Sequence, residues 1–190
     1  SSTIPAVSDS PAKPLPAYAD WKDPKALIVH SSNTMETRRS AFGTSVLTPT
    51  DQLYVRNNLP PPDASILDNR DAWTISIEGV KNPRTFSLGE LKTMGLETVA
   101  TVLQCSGNGR GFFPSKPSGT QWTVGAAGCV FWSGVPVRTV VAALGGGVDG
   151  TVYLTGTGGE KLPDGVDPLS VLVERSVPIE ALGDAILAWE

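Results

Sequence analysis

The chain has 190 residues, enough for one well-buried core or at most two small ones. Its 20 glycines and 16 prolines favour a loop-rich, mostly β architecture over a helical bundle. The net charge of −4 gives no overall attraction to nucleic acid or to an anionic membrane surface, and no run approaches the roughly 18 apolar residues of a membrane span.

The N-terminal region, residues 1–25, is predicted to be an extended, proline-rich arm because it lacks a hydrophobic period. The apolar run at residues 27–29 would hold this arm down. The polar stretch at residues 33–45, with adjacent Arg38 and Arg39, is predicted to be a solvated face. The chain begins with serine, which favours an exported protein whose signal peptide has been removed.

Two short segments alternate apolar and polar side chains, as half-buried strands do. They are residues 53–56 and 73–78. Ser87 and Glu90 have the spacing of a capping box, which predicts a short helix that ends at Gly95. The second half of the chain predicts, in order, a helix, a strand, a short helix capped by Ser176 and a final strand. These four elements cover residues 137–144, 151–155, 176–182 and 185–189.

One stretch concentrates the residues that carry chemistry. An apolar run at residues 99–103 predicts a strand leading to Cys105, and residues 107–109 predict a sharp turn. Arg110 lies in the same loop as the thiol. A nearby cation favours the thiolate, which is a nucleophile and a ligand for soft metals. The alternative is a small buried cysteine without chemistry.

Cys105 and Cys129 are the two cysteines, too few for a disulfide framework, and no C-x-x-C pair suggests zinc or thioredoxin chemistry. Cys129 stands between Gly128 and Val130 and is predicted to be a core residue, so we expect no disulfide between the two. His30 is the only histidine, so this chain cannot build a bis-histidine haem site.

Three motifs, in this order, resemble the sulfite oxidase family of molybdenum enzymes, above all the bacterial sulfite dehydrogenases without a haem domain. They are Tyr-Val-Arg-Asn-Asn-Leu-Pro from Tyr54, Leu-Gln-Cys-Ser-Gly-Asn-Gly-Arg from Leu103 and Trp-Thr-Val-Gly-Ala from Trp122. The resemblance implies an α+β, mostly β fold over residues 26–190, the N-terminal half of a sulfite oxidase-like molybdopterin-binding domain. We expect the rest of that domain and a C-terminal dimerisation domain to lie outside this chain.

The resemblance also implies roles for individual residues. Cys105 would ligate the molybdenum of a molybdenum–molybdopterin cofactor, since a thiolate is a soft, charge-donating ligand. Arg56 and Arg110 would bind the anionic substrate through charge-assisted hydrogen bonds, and Trp122 would wall the pocket. The residues lining the pterin and phosphate of the cofactor would be Tyr54, Val55, Arg56, Asn57 and Asn58.

The reaction implied is the oxidation of sulfite to sulfate by oxygen-atom transfer, with electrons passed to a separate cytochrome c. The whole protein would be a periplasmic homodimer, exported after folding with its cofactor, with no membrane span and no nucleic-acid partner. Two alternatives remain open. One is another member of the superfamily, a nitrate or sulfoxide reductase, although Arg110 favours an inorganic oxyanion over a sulfoxide. The other is a cofactor-free, β-rich binding module.

Overall fold

Strands predominate in this protein and the helices are short, as predicted. The structure is a computed structural model that describes residues 13–43, 45–59, 61–158, 162–171 and 174–190. Residues 1–12 of the predicted arm lie outside the described residues. The chain divides into two compact units. The first unit comprises Ser1–Pro60 and Val102–Val130, and the second comprises Pro61–Thr101 and Phe131–Glu190.

The regular elements are numbered in chain order. The strands are β1 (Leu27–Ser31), β2 (Thr34–Thr37), β3 (Val55–Arg56), β4 (Thr74–Ile77), β5 (Arg84–Ser87), β6 (Glu97–Gln104), β7 (Ala127–Pro136), β8 (Tyr153–Thr157), β9 (Glu174–Pro178) and β10 (Ile186–Ala188). The α-helices are α1 (Leu88–Lys92), α2 (Val137–Ala143) and α3 (Pro168–Val171). Short 3-10 helices cover Ala17–Ala19, Arg39–Ala41, Ala64–Leu67, Arg70–Ala72, Arg110–Phe112 and Ile179–Gly183.

The first unit is built on a three-stranded antiparallel sheet of order β1-β2-β3. Its core contains Ala19, Leu27 and Met35, with partly buried apolar side chains around them. Ala19 comes from the predicted arm. Its packing in one cluster with Leu27 shows how the apolar run at residues 27–29 holds this part of the arm.

The prediction of a solvated face at residues 33–45 is wrong for β2. All four of its residues, Thr34 to Thr37, are buried. β2 is the central strand of its sheet, so its polar side chains find their partners inside the protein. The hydroxyl of Thr37, for example, donates to the carbonyl oxygen of Gln52 at 2.6 Å.

The second unit has its own core, which consists of Val80, Phe86, Leu91, Val135, Val140 and Leu144. β4 and β5 form one antiparallel hairpin, and β8 pairs with β9 in another two-stranded sheet. β10 pairs antiparallel with β7 in a sheet of order β10-β7-β6. The predicted capping box of α1 is present: the backbone N–H of Glu90 donates to Ser87 Oγ at 3.1 Å, and the N–H of Ser87 donates to Glu90 Oε2 at 2.8 Å.

One helix prediction in the second unit is wrong. Ser176 does not cap a helix but lies in β9, opposite Thr155 of β8, and the two hydroxyl oxygens are 2.8 Å apart. The short helix follows the strand, as the 3-10 turn Ile179–Gly183. Pairing with β8 therefore outweighs the local capping signal. In the described part of the chain, no helix is both long and apolar enough to cross a membrane.

Candidate functional site

The turn after β6, here called the Cys105 loop (residues 105–111), is held in shape by its own backbone. The N–H of Asn108 donates to the carbonyl oxygen of Cys105 at 2.9 Å, and the N–H of Arg110 donates to that of Gly107 at 3.0 Å. Gly109 has a φ of +85°, in the left-handed region that glycine adopts without strain. The sequence prediction of a sharp turn here is confirmed.

Both cysteines are free, which confirms the expectation that no disulfide joins them. Cys105 is half-buried, and so is Cys129, which the sequence placed in the core. Tyr54 lies near Cys105. Burial raises the pKa of the Tyr54 hydroxyl, and the negative charge of the Cys105 thiolate raises it further. Tyr54 and Cys105 therefore lie within electrostatic range of each other.

The guanidinium of Arg110 is fixed within the same loop. Its Nη1 donates to the carbonyl oxygen of Thr120 at 3.1 Å. It also packs closely on two glycines: a Cβ added to Gly107 would lie 2.8 Å from Nη2, and one added to Gly119 would lie 2.5 Å from Nη1. Among the described residues, no carboxylate lies within ion-pair distance of Arg110. The result is an ordered, half-buried cation in the loop that carries the thiol.

Arg56 is placed differently. It is exposed in β3, opposite Thr34 of β2, and its Nη1 donates to the side-chain oxygen of Asn58. The N–H of Asn57 donates to the carbonyl oxygen of Asn33 at 3.0 Å, while Val55 packs against the core of the first unit. The observed contacts attach Arg56 to its own motif, and they do not join it to Arg110.

Trp122 is only 1% exposed, so its ring lies inside the protein. It makes two edge-on ring contacts, with centroid distances of 5.2 Å to His30 and 6.4 Å to Tyr54. The ring therefore supports Tyr54 from within. A role as the wall of a substrate pocket stays a prediction.

Glu36 is fully buried, with 0% of its surface exposed. Its carboxylate accepts hydrogen bonds from the N–H of Thr123 at 2.8 Å, the N–H of Gly125 at 3.1 Å and the hydroxyl of Thr123 at 3.0 Å. His30 Nε2 lies 3.0 Å from Oε1. Burial by itself would raise the pKa of Glu36, but the hydrogen bonds from His30, Gly125 and Thr123 outweigh it and lower this pKa. No sequence pattern predicts this site residue, since a lone glutamate in a polar stretch has the pattern of a surface residue.

Residues 122–126, here called the Trp122 segment, connect Glu36 to the Cys105 loop. Four hydrogen bonds join the segment to the loop: Cys105 N to Ala126 O at 2.9 Å, Gly109 N to Thr123 O at 2.7 Å, Gly111 N to Trp122 O at 2.8 Å and Ala126 N to Asn108 Oδ1 at 3.1 Å. Two of the three sequence motifs are therefore joined by hydrogen bonds, and Glu36 bonds the Trp122 segment in turn.

The described residues contain no group of three or more His, Cys, Asp and Glu side chains that could hold a metal ion. Cys105 offers a soft thiolate donor on an ordered turn. The phenol of Tyr54 and the fixed guanidinium of Arg110 make the environment of this turn polar, and Arg110 adds a positive charge.

Comparison with known proteins identifies relatives. Residues 60–190 match the family model described as the oxidoreductase molybdopterin binding domain. Mitochondrial sulfite oxidase from Drosophila melanogaster is 30% identical over 149 residues, which are 75% of this chain and 24% of that protein. The NADPH nitrate reductase from Phytophthora infestans is 34% identical over 157 residues, which are 78% of this chain and 16% of that protein. The chain thus spans a quarter or less of the length of these two relatives.

A solved structure has a similar fold. The crystal structure of the sulfane dehydrogenase SoxCD from Paracoccus pantotrophus matches with a TM-score of 0.62 at 18% sequence identity. The match covers 100% of this chain and 47% of that chain. Together with the family match, it confirms the predicted fold class: a partial, mostly β, sulfite oxidase-like molybdopterin-binding fold.

Proposed function

We infer the function of this chain from its family, because the chain belongs to the oxidoreductases with a molybdopterin-binding domain. Membership of the sulfite oxidase family of molybdopterin enzymes and the predicted molybdenum–molybdopterin cofactor are both confirmed. The family assignment also removes the alternative of a cofactor-free binding module. Sulfite oxidases and nitrate reductases are both among the relatives, so the comparisons support an oxidoreductase without choosing its substrate. Within this family we propose the oxidation of sulfite to sulfate by oxygen-atom transfer.

The residues of the Cys105 loop fit the cofactor. The Cys105 thiolate is a soft ligand on a turn whose backbone is bonded on both sides, to itself and to the Trp122 segment. When bound, the cofactor would supply the molybdenum that transfers the oxygen atom and accepts the electrons of sulfite. Cys105 would hold the metal. The lining of the pterin and phosphate would come from the motif at residues 54–58.

The observation that carries the proposal is that a thiol and an ordered guanidinium share one loop. Arg110 is already held by Thr120, Gly107 and Gly119, so that binding an anion costs it little conformational entropy. The N–H groups that do not bond Thr120 can donate charge-assisted hydrogen bonds to the oxygens of sulfite. Arg56, exposed at its strand end, would add a second cation for the substrate or the cofactor.

Properties of the whole protein are also proposals, because this chain covers only part of its relatives' length. The resemblance to bacterial sulfite dehydrogenases supports a separate cytochrome c as electron acceptor, a homodimer formed by a domain outside this chain, and a periplasmic location. Export predicts a signal segment upstream of Ser1 in the precursor. A precursor that begins directly at Ser1 after its initiator methionine would contradict export.

The test compares two reactions of the full-length protein loaded with molybdenum. We expect sulfite-dependent reduction of cytochrome c and no consumption of nitrate with a reduced viologen dye. Cys105→Ser should abolish turnover in a protein that still folds, while the matched control Cys129→Ser should keep it. Equal loss in both variants would contradict the role of Cys105.

Nitrate reduction is the second candidate. The nitrate reductase of Phytophthora infestans is at 34% identity, against 30% and 31% for two sulfite oxidases. Nitrate, like sulfite, is a small oxyanion that an ordered guanidinium can bind. Nitrate consumption without sulfite oxidation in the assay above would decide for this alternative.

A further inference from the structure

Glu36 is a buried carboxylate that the proposed reaction does not use. Each of its oxygens has two partners: Oε2 accepts from the N–H groups of Thr123 and Gly125, and Oε1 meets the hydroxyl of Thr123 and Nε2 of His30. Burying a carboxylate is costly unless such partners compensate it. Three of the four partners belong to the Trp122 segment, so the compensation depends on where that segment lies.

The Trp122 segment is also what holds the Cys105 loop. Thr123 donates to Glu36 through its N–H and its hydroxyl. Its carbonyl oxygen accepts a hydrogen bond from the N–H of Gly109. The carbonyl oxygen of Trp122 accepts the N–H of Gly111. Only a few bonds therefore separate the Glu36 carboxylate from the loop with the thiol.

β2 adds a backbone anchor to the same segment. The N–H of Thr37 donates to the carbonyl oxygen of Gly125 at 3.0 Å, next to the Glu36 side-chain bonds. The His30 ring, which pairs with Glu36, contacts the Trp122 ring edge-on. Backbone, carboxylate and ring contacts thus all fix this one segment from the side of the sheet.

We propose that Glu36 is a positioning residue, which sets the place of the Trp122 ring and of the Cys105 loop through the Trp122 segment. It touches neither substrate nor cofactor in this role. The inference rests on the proposed function only in taking the Cys105 loop as the active site, since the contacts themselves do not depend on the substrate.

The test uses fluorine NMR of the full-length protein, loaded with its cofactor and labelled with 5-fluorotryptophan. Trp122→Phe identifies the Trp122 resonance. Glu36→Leu should move this resonance and lower kcat/KM for sulfite, per bound molybdenum, by about tenfold to a hundredfold, as a small displacement of an active site does. An unmoved Trp122 resonance in folded Glu36→Leu would overturn the proposal.

Thr34→Val is the matched control. Thr34 is buried in the same strand, but its hydroxyl bonds Ser31 Oγ at 2.7 Å and not the Trp122 segment. We expect it to lower stability while leaving the Trp122 resonance and kcat/KM unchanged. If Thr34→Val moves both as Glu36→Leu does, the effect is general destabilisation and the proposal is wrong.

Two further variants cover a failure of Glu36→Leu to fold. Glu36→Gln keeps the shape and can still accept the two N–H groups, so it should restore the wild-type resonance and most of the activity. Thr123→Val removes only the hydroxyl bond and should move the same resonance by a smaller amount; no movement would overturn the proposal. If the wild type does not oxidise sulfite, the proposed function fails, whereas a moved resonance still supports the role of Glu36.

Discussion

Arg110 offers the sharpest test of substrate binding by a single side chain. Arg110→Gln should raise the KM for sulfite by about one to two orders of magnitude, because a hydrogen bond to a charged group contributes about 1.5–3 kcal/mol. Arg110→Lys keeps the charge but loses the planar donor geometry, and should lie between wild type and Arg110→Gln. Steady-state kinetics at full molybdenum loading measure both. Added salt should inhibit the wild type more than Arg110→Gln, because screening acts on the charge that was removed.

The control for this prediction is Arg39→Gln, which removes an exposed arginine from the same unit. We expect its KM to equal that of the wild type at moderate salt. An unchanged KM in Arg110→Gln would mean that Arg110 only holds the loop, through Thr120, Gly107 and Gly119.

The sequence motifs predict the residues that carry the chemistry better than they predict the residues that hold the site in place. Cys105 and Arg110 stand next to turn-forming glycines, and the structure places both on one ordered turn. Glu36 and His30 do not stand out in this way, because Glu36 is held by Thr123, 87 residues further along the chain, and His30 contacts the similarly distant Trp122. Burial of a polar side chain is a property of the assembled sheet and leaves no local pattern.

Helices and strands also differ in how far local sequence signals predict them. Helix α1 was predictable because its capping box is a contact between residues three apart. The sequence pattern does not predict β2, and it places Ser176 of β9 at a helix cap, because the formation of a strand depends on a partner strand. Local signals therefore predicted the helices α1 and α2 well, and they failed at polar strands.

Gly125 tests how tightly β2 and the Trp122 segment are joined. A Cβ at this position would overlap the carbonyl oxygen of Thr37, and hydrogen bonds hold the backbone of both residues in place. Gly125→Ala should therefore lower the free energy of unfolding by about 3 kcal/mol or more, which is the upper end of the range typical of overpacking. Urea unfolding followed by circular dichroism measures this change.

Gly156→Ala is the matched control, because a Cβ there would meet no atom within 4 Å. It should change the free energy of unfolding by less than about 0.5 kcal/mol. Equal stability of Gly125→Ala and Gly156→Ala would show that the segment can move away from β2, and would also weaken the positioning role of Glu36.

For the molecule as a whole, acid stability should carry the signature of Glu36. The pKa of this carboxyl is lower in the folded protein than its ordinary value of 4.5. Above that value the group is ionised in both the folded and the unfolded chain, and its hydrogen bonds contribute fully to stability. As the pH falls below about 4.5, the unfolded chain binds the proton first, so this contribution declines and is lost once the pH passes the folded pKa.

Glu36→Gln cannot ionise. The difference in free energy of unfolding between wild type and Glu36→Gln should therefore be largest near neutral pH and shrink in acid. Urea unfolding at a series of pH values measures this difference, in which the other carboxylates cancel. Asp20→Asn, at an exposed position of the same unit, should show no such trend. A difference for Glu36→Gln that stays constant from pH 7 to about pH 3 would show that folding does not lower the pKa of Glu36.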